Sequence, residues 1–205
     1  MQKAGNTWVP DSDWYFGPYF ANIGDVFEAV VLDTGLRNVK RWRTCVDGGA
    51  HVGSWSRALA HKFVSVYSFE PQRDNWRCLL KNTETCPNVK AFNWALGDVN
   101  GYRSMASGRN SGCWHIADGD DVLMVRLDDL SITDLDYLKL DVEGFEYFAL
   151  KGGKDTIARD RPVIQIEEKK LPHSYDCPTA RSLLQTWGYK QIDQYGKDVI
   201  FGPEA

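Results

Sequence analysis

Apolar residues recur along this chain with two alternating periods, one suited to short buried strands and one to amphipathic helices. Thr44-Cys45-Val46-Asp47 is short and apolar and runs into Gly48-Gly49, after which Val52, Trp55, Ser56, Leu59, Ala60 and Phe63 recur at helical spacing. The order predicts strand, glycine turn, helix. Val64 to Phe69 predicts the next strand, closed by Glu70-Pro71, and Asn75 to Lys81 the next helix, with Trp76, Leu79 and Leu80 inward. A third strand fits Val89 to Asn93. Successive βα units imply a parallel sheet with right-handed crossovers.

Residues 97–121 break the rhythm with Gly, Ser, Asn and Asp, leaving room for one strand at Tyr102 to Ala106, and regularity returns at Val122 to Leu127. Tyr137 to Leu140 predicts a buried strand ending in Asp141-Val142-Glu143-Gly144. A helix through Phe145, Phe148, Ala149 and Leu150 follows and stops at Gly152-Gly153. Val163 to Glu167 is a fifth core strand. Pro178 suits a first helical position, Leu183, Leu184 and Trp187 an inward face, and Gly188 a C-terminal stop. Tyr189 to Asp193 and Asp198 to Phe201 flank a turn at Gln194 to Lys197, the pattern of an antiparallel hairpin. Upstream, residues 1–24 are rich in aromatics, Gly and Pro and predict an irregular arm. Asp25 is placed to cap a leading helix through Phe27, Val30, Val31 and Leu36.

The expected fold class is therefore α/β, with a mostly parallel seven-stranded sheet, a C-terminal antiparallel hairpin and helices on both faces. That is the outline of Rossmann-like class I methyltransferases. A chain of 205 residues, 43% hydrophobic, can bury one sizeable core. It is read as a single domain, 1–205, with an arm and leading helix at 1–43, a cofactor-binding core at 44–170, and a C-terminal helix and hairpin at 171–205. No apolar run approaches the roughly 20 residues of a membrane span, and the N-terminus lacks a secretory pattern, so no membrane and a cytoplasmic location are expected. Five cysteines without any Cys-x-x-Cys pair fit reduced thiols. The net charge of −4 disfavours a nucleic-acid partner.

In such sheets ligands bind outside the carboxyl ends of the strands, where strand order reverses. The residues delivered there are Asp47 to Gly53, Glu70, Asn93 to Asp98, Asp141 to Glu143, and Glu167 with Glu168. The glycine turn separates two cofactor classes. A dinucleotide site needs Gly-x-Gly-x-x-Gly facing a pyrophosphate. This chain offers Asp47-Gly48-Gly49-Ala50-His51-Val52-Gly53, with the wrong glycine spacing and a carboxylate beside it. S-adenosylmethionine carries no phosphate but an ammonium, a carboxylate and a sulfonium, and it fits better. Glu70 stands near the separation at which an acid reaches a ribose diol.

These residues resemble the FkbM family of methyltransferases. The likeness runs from Cys45 to Gly53, through Ser68-Phe69-Glu70-Pro71 and Ala95-Leu96-Gly97-Asp98, to Leu138-Lys139-Leu140-Asp141-Val142-Glu143-Gly144-Phe145-Glu146. Leu150-Lys151-Gly152-Gly153 and Arg161 to Glu167 complete it, the Asp-Val-Glu-Gly element being the most specific piece. His51 stands where the family commonly has Asn. The resemblance implies O-methylation of a hydroxyl on a sugar or small metabolite, so the expected partner is a small-molecule or glycan acceptor. Cofactor binding is expected from Asp47, Gly48, Gly49, Ala50, His51, Gly53, Glu70, Pro71, Ala95, Leu96, Gly97 and Asp141.

A hydroxyl acceptor is a poor nucleophile until it loses its proton. Asp141 and Glu143 are the candidate bases, with Glu167 and His173 behind them. Asp141, Glu143 and Glu167 could also share magnesium, but carboxylates alone are weak grounds and no metal is assigned. Arg37, Lys40, Arg41 and Arg43 read as a solvated helix end, Trp94 and Trp114 as buried aromatics or stacking groups, and His61 and His115 as unassigned. Alternatives are a nucleic-acid methyltransferase and an S-adenosylmethionine-binding module without activity.

Overall fold

Strand and helix positions follow the two periods of the sequence closely in the core. A computed structural model describes residues 1–106, 111–113, 115–168 and 179–204. A hairpin of β1 (Gln2–Ala4) and β2 (Thr7–Val9) precedes α1 (Phe16–Asn22) and α2 (Ala29–Leu36). The core then runs β3 (Thr44–Gly48), α3 (Ser54–Ala60), β4 (Ser65–Phe69), α4 (Arg73–Asn82) and β5 (Val89–Phe92). After it come β6 (Trp94–Leu96), β7 (Gly101–Ala106) and β8 (His115–Val125). The second half holds β9 (Leu135–Leu140), α5 (Glu146–Gly152), α6 (Lys154–Asp160) and β10 (Val163–Glu167). The last three elements are α7 (Ala180–Thr186), β11 (Tyr189–Tyr195) and β12 (Asp198–Pro203).

Seven strands form one sheet in the order β11-β12-β10-β9-β3-β4-β5. All pairs from β10 to β5 are parallel, and β12 runs antiparallel to both β10 and β11. The side-chain period of two sends alternate residues to opposite layers. Val46, Leu138 and Ile164 face Leu150, Ile157 and Leu184 of α5, α6 and α7. Cys45, Val66 and Tyr137 face Leu32 and Leu36 of α2 and Leu59 of α3. Helices thus cover both faces. Chain order reverses between β3 and β9, because β4 and β5 are added on one side of β3 and β9 and β10 on the other.

Several local expectations are corrected. The arm is not irregular but carries the β1–β2 hairpin and α1. Asp25 does not cap α2; its carboxylate accepts from Asn6 Nδ2 at 3.2 Å, and Glu28, at φ 49°, stands at the helix start. Residues 97–121 hold β7 and the start of β8, which pair antiparallel in a separate three-stranded sheet completed by β6, parallel to β8. The helix through Phe145 does stop at Gly152 with Gly153 as its C-cap, but a further helix, α6, which the periodicity does not predict, begins directly after it. Thr179 caps α7, accepting from Ser182 N, and Pro178 lies outside the described residues. Among the described residues no helix is long and apolar enough to cross a membrane.

Candidate active site

Beyond the carboxyl ends of β3 and β9 lies a cavity of about 310 Å³, at the small end of the ~300–1,000 Å³ usual for ligand pockets. Its near wall is the turn after β3. Gly49 N and Ala50 N both donate to Phe69 O, at 2.9 and 3.0 Å, which stitches the turn to the end of β4. A side chain at Gly49 would place its Cβ 1.8 Å from Asp141 O, and φ there is +75°, so only glycine fits. His51 follows with φ 51°. Its N–H donates to Glu70 Oε2 at 2.8 Å, so the turn and the acid that ends β4 form one unit.

Glu70 is buried and also accepts from Gln72 N at 3.0 Å. Burial raises its pKa to about 7, against the hydrogen bonds from Gln72, His51 and Asn75 and the charge of Lys139. Asn75, 2% exposed on α4, donates to Glu70 Oε1 at 3.4 Å and to Ser111 O at 2.7 Å. Asn75 Oδ1 is buried and has no hydrogen-bond partner among the described residues. A buried acceptor left in that state is costly, and it lines the cavity beside a carboxylate.

Asp47 lies beneath the turn with no exposed surface, bound by Ser56 Oγ at 2.6 Å and Lys139 Nζ at 3.1 Å. Lys139 is its direct partner in the β3–β9 register, and its Nζ also donates to Gly49 O at 2.8 Å. Burial would lower the lysine pKa, but Asp47 and Asp141 hold it above its ordinary value, so the ammonium stays charged.

The far wall is acidic. Carboxylate oxygens of Asp141, Glu143 and Glu167 lie within 4.8 Å of one another, a grouping that could hold a metal ion. The loop carrying the first two is held by Glu146, whose Oε1 accepts from Val142 N at 3.0 Å and Gly144 N at 3.2 Å. Burial raises the Glu146 pKa to about 7. Glu143 at φ 55° is a strained position that this brace supports, and Gly144 at φ 92° takes a conformation open to glycine.

The arm and the segment at 111–113 form the remaining walls. Asp13 Oδ1 accepts from Tyr15 N and Phe16 N at 2.9 and 2.8 Å, and its other oxygen accepts from the Ser111 hydroxyl. Ser111 Oγ in turn lies 2.8 Å from His51 Nε2, which therefore donates to it. Burial lowers the His51 pKa to about 4, so the imidazole is neutral.

Of the residues expected to meet a cofactor, Gly49, Ala50, His51, Glu70, Pro71, Ala95, Leu96 and Asp141 line the cavity, as do Glu143 and Glu167. Asp47, Gly48, Gly53 and Gly97 do not. Gly48 is packed by Leu140, Gly53 by Leu79 and Gly97 by Met124, so these support the walls from behind. Trp94 lines the cavity and stacks on Phe92 at 4.6 Å between centroids. Trp114 and His173 lie outside the described residues. Lys139, Asn75, Ser111 and Glu146 were not singled out from the sequence. A charged residue inside the buried run Leu138-Lys139-Leu140 was the available signal for the first, because unpaired lysines are almost never fully buried.

The strand order, with its single antiparallel strand and a cavity at the reversal point, defines a class I S-adenosylmethionine-dependent methyltransferase fold. A methyltransferase FkbM structure from Methylobacillus flagellatus KT matches with TM-score 0.52 and 18% identity, covering 80% of this chain and 44% of that one. Precorrin 8W decarboxylase from Methanobacterium thermoautotrophicum matches with TM-score 0.58 and 14% identity over 100% of both chains. Monomeric WbdD matches with TM-score 0.56 and 15% identity, covering 93% of this chain and 44% of that one. The chain spans less than half the length of the FkbM protein it matches. The methyltransferase FkbM domain model matches residues 47–191, and the chain belongs to that family. No curated protein gives a significant match.

Proposed function

We propose that this chain transfers the methyl group of S-adenosylmethionine to a hydroxyl oxygen of a sugar or other small metabolite. The observation that carries the reading is the position of Glu70 beside the unmatched Asn75 Oδ1 on one side of the cavity and the Asp141–Glu143–Glu167 group on the other. An ionised carboxylate beside an unmatched acceptor suits a ribose diol and a further ligand donor. Bound there, S-adenosylmethionine supplies a methyl carbon already activated by a sulfonium. Glu70 and Asn75 would hold the nucleoside, with the turn from Gly49 to His51 beside it in the cavity wall. Asp141 or Glu143 would take the proton of the acceptor hydroxyl as its oxygen bonds the methyl carbon and the carbon–sulfur bond breaks, leaving the neutral thioether. The arm residues Tyr15 and Phe16 help exclude water. The three-carboxylate group also suits a divalent cation that would lower the acceptor's pKa, a second route to the same step.

Binding calorimetry with S-adenosylhomocysteine and a methylation assay over sugars and polyols test the reading together. Glu70→Ala should lose at least ~10-fold in affinity, the worth of a charge-assisted hydrogen bond. Asp141→Asn or Glu143→Gln should lose ~100-fold in turnover, the usual scale of a general base, with the nucleoside still bound. No nucleoside binding, or methyl transfer undiminished in both base variants, overturns the proposal.

A further inference from the structure

Resting on that reading, we infer that Lys139 is a cofactor-binding residue, the recognition point for the α-carboxylate at the methionine end of S-adenosylmethionine. Among the described residues Lys139 is the one cationic side chain in the cavity wall, which otherwise presents the carboxylates of Glu28, Glu70, Asp141, Glu143, Glu167 and Asp198. The nucleoside has a positive sulfonium, a positive ammonium and a single anionic group. In a wall this acidic the anion has one attractive place to go.

The geometry suits that role. An ammonium carries three donors. Gly49 O takes one of them at 2.8 Å, and Asp47 Oδ1 lies 3.1 Å away as an ion-pair partner without hydrogen-bond geometry, which leaves donor capacity for a ligand at the turn. Only 7% of the side chain is exposed, so a carboxylate meeting it is screened little by solvent. The same two contacts fix Nζ in place, so little is lost in ordering a long flexible chain on binding. The strand register supplies the position: Asp47 and Lys139 are partners across β3 and β9, directly under the turn.

The discriminating probe is decarboxylated S-adenosylmethionine, which keeps the nucleoside, sulfonium and amine and lacks the carboxylate. Its extra positive charge would favour it in an acidic cavity, so a penalty against it reports the specific contact. Calorimetry on the wild type should show S-adenosylmethionine bound at least ~10-fold tighter, as for one charge-assisted hydrogen bond. Lys139→Met should remove that preference by weakening S-adenosylmethionine to the level of the decarboxylated form. Because Lys139→Met leaves Asp47 as an uncompensated buried charge, the Asp47→Asn/Lys139→Met double variant is measured beside it. Equal weakening of both nucleosides in the variants would mean that Lys139 only supports the turn, and would overturn the assignment. So would a wild type that binds the two alike. A wild type that binds neither nucleoside overturns the cofactor reading itself.

Discussion

The backbone N–H of His51 lies 2.8 Å from Glu70 Oε2, so the turn after β3 is fastened to the acid that ends β4. The turn and the acid proposed above to meet the nucleoside are therefore coupled through one hydrogen bond.

Glu70 gives the first pH dependence. Its pKa in the fold is about 7 against an ordinary 4.5, so the fold favours its protonated form. A raised pKa contributes stability that is complete below 4.5 and is lost as pH rises through about 7. Ribose hydroxyls donate to the ionised form, so nucleoside binding should weaken as pH falls below about 7 and should release a proton there. Calorimetry in buffers of different ionisation enthalpy reads that proton, and Glu70→Gln should show none. His51 acts in the opposite direction on stability: its lowered pKa stabilises the fold above 6.5, and that contribution is lost as pH falls through about 4.

Gly49→Ala should destabilise the fold by ~2 kcal/mol or more, since the new methyl meets Asp141 O and the backbone stays left-handed. Urea unfolding measures it. A variant as stable as the wild type would show that β9 can retreat from the turn.

Glu146 should matter through two backbone groups. Glu146→Ala strips Val142 N and Gly144 N of their acceptor, at a cost of ~1–3 kcal/mol for each group left unmatched. Methyl transfer should fall further than nucleoside affinity, because Asp141 and Glu143 ride on that loop. Glu146→Gln keeps an acceptor oxygen in place and should restore most of the activity; failure of this rescue would point to a need for the charge.

Ser111→Ala cuts the link between Asp13 and His51. The expected loss is ~1 kcal/mol, that of an ordinary hydrogen bond. Amide exchange at Tyr15 and Phe16, whose N–H groups bind Asp13, should quicken. Unaltered exchange would mean that the apolar contacts of Phe16 alone hold the arm.

Much of this architecture is legible in the sequence because burial and periodicity agree there. Val46 and Leu138 point one way, Cys45 and Tyr137 the other, and strands so written have few alternatives. The rim acids are legible because strand ends in such sheets are ligand positions. What escapes has a physical reason in each case. His115 to Asp121 forms the start of β8 with few of the β-branched and aromatic residues that mark strands. α6 escapes because Gly152-Gly153 marks the end of α5 while Gly153, with Leu127 packed against it, also opens the next helix. Lys139 and Asn75 gain meaning only when distant segments meet.

Lys139 and Gly49 are 90 residues apart in the chain yet share a hydrogen bond. A ribosome completes β3 and its turn well before β9 emerges, and until then Asp47 has no cation to neutralise it in a forming core. Folding of this corner must wait for the later strand, and a fragment ended by protease or premature stop short of residue 135 carries the glycine turn without the lysine that pairs with Asp47.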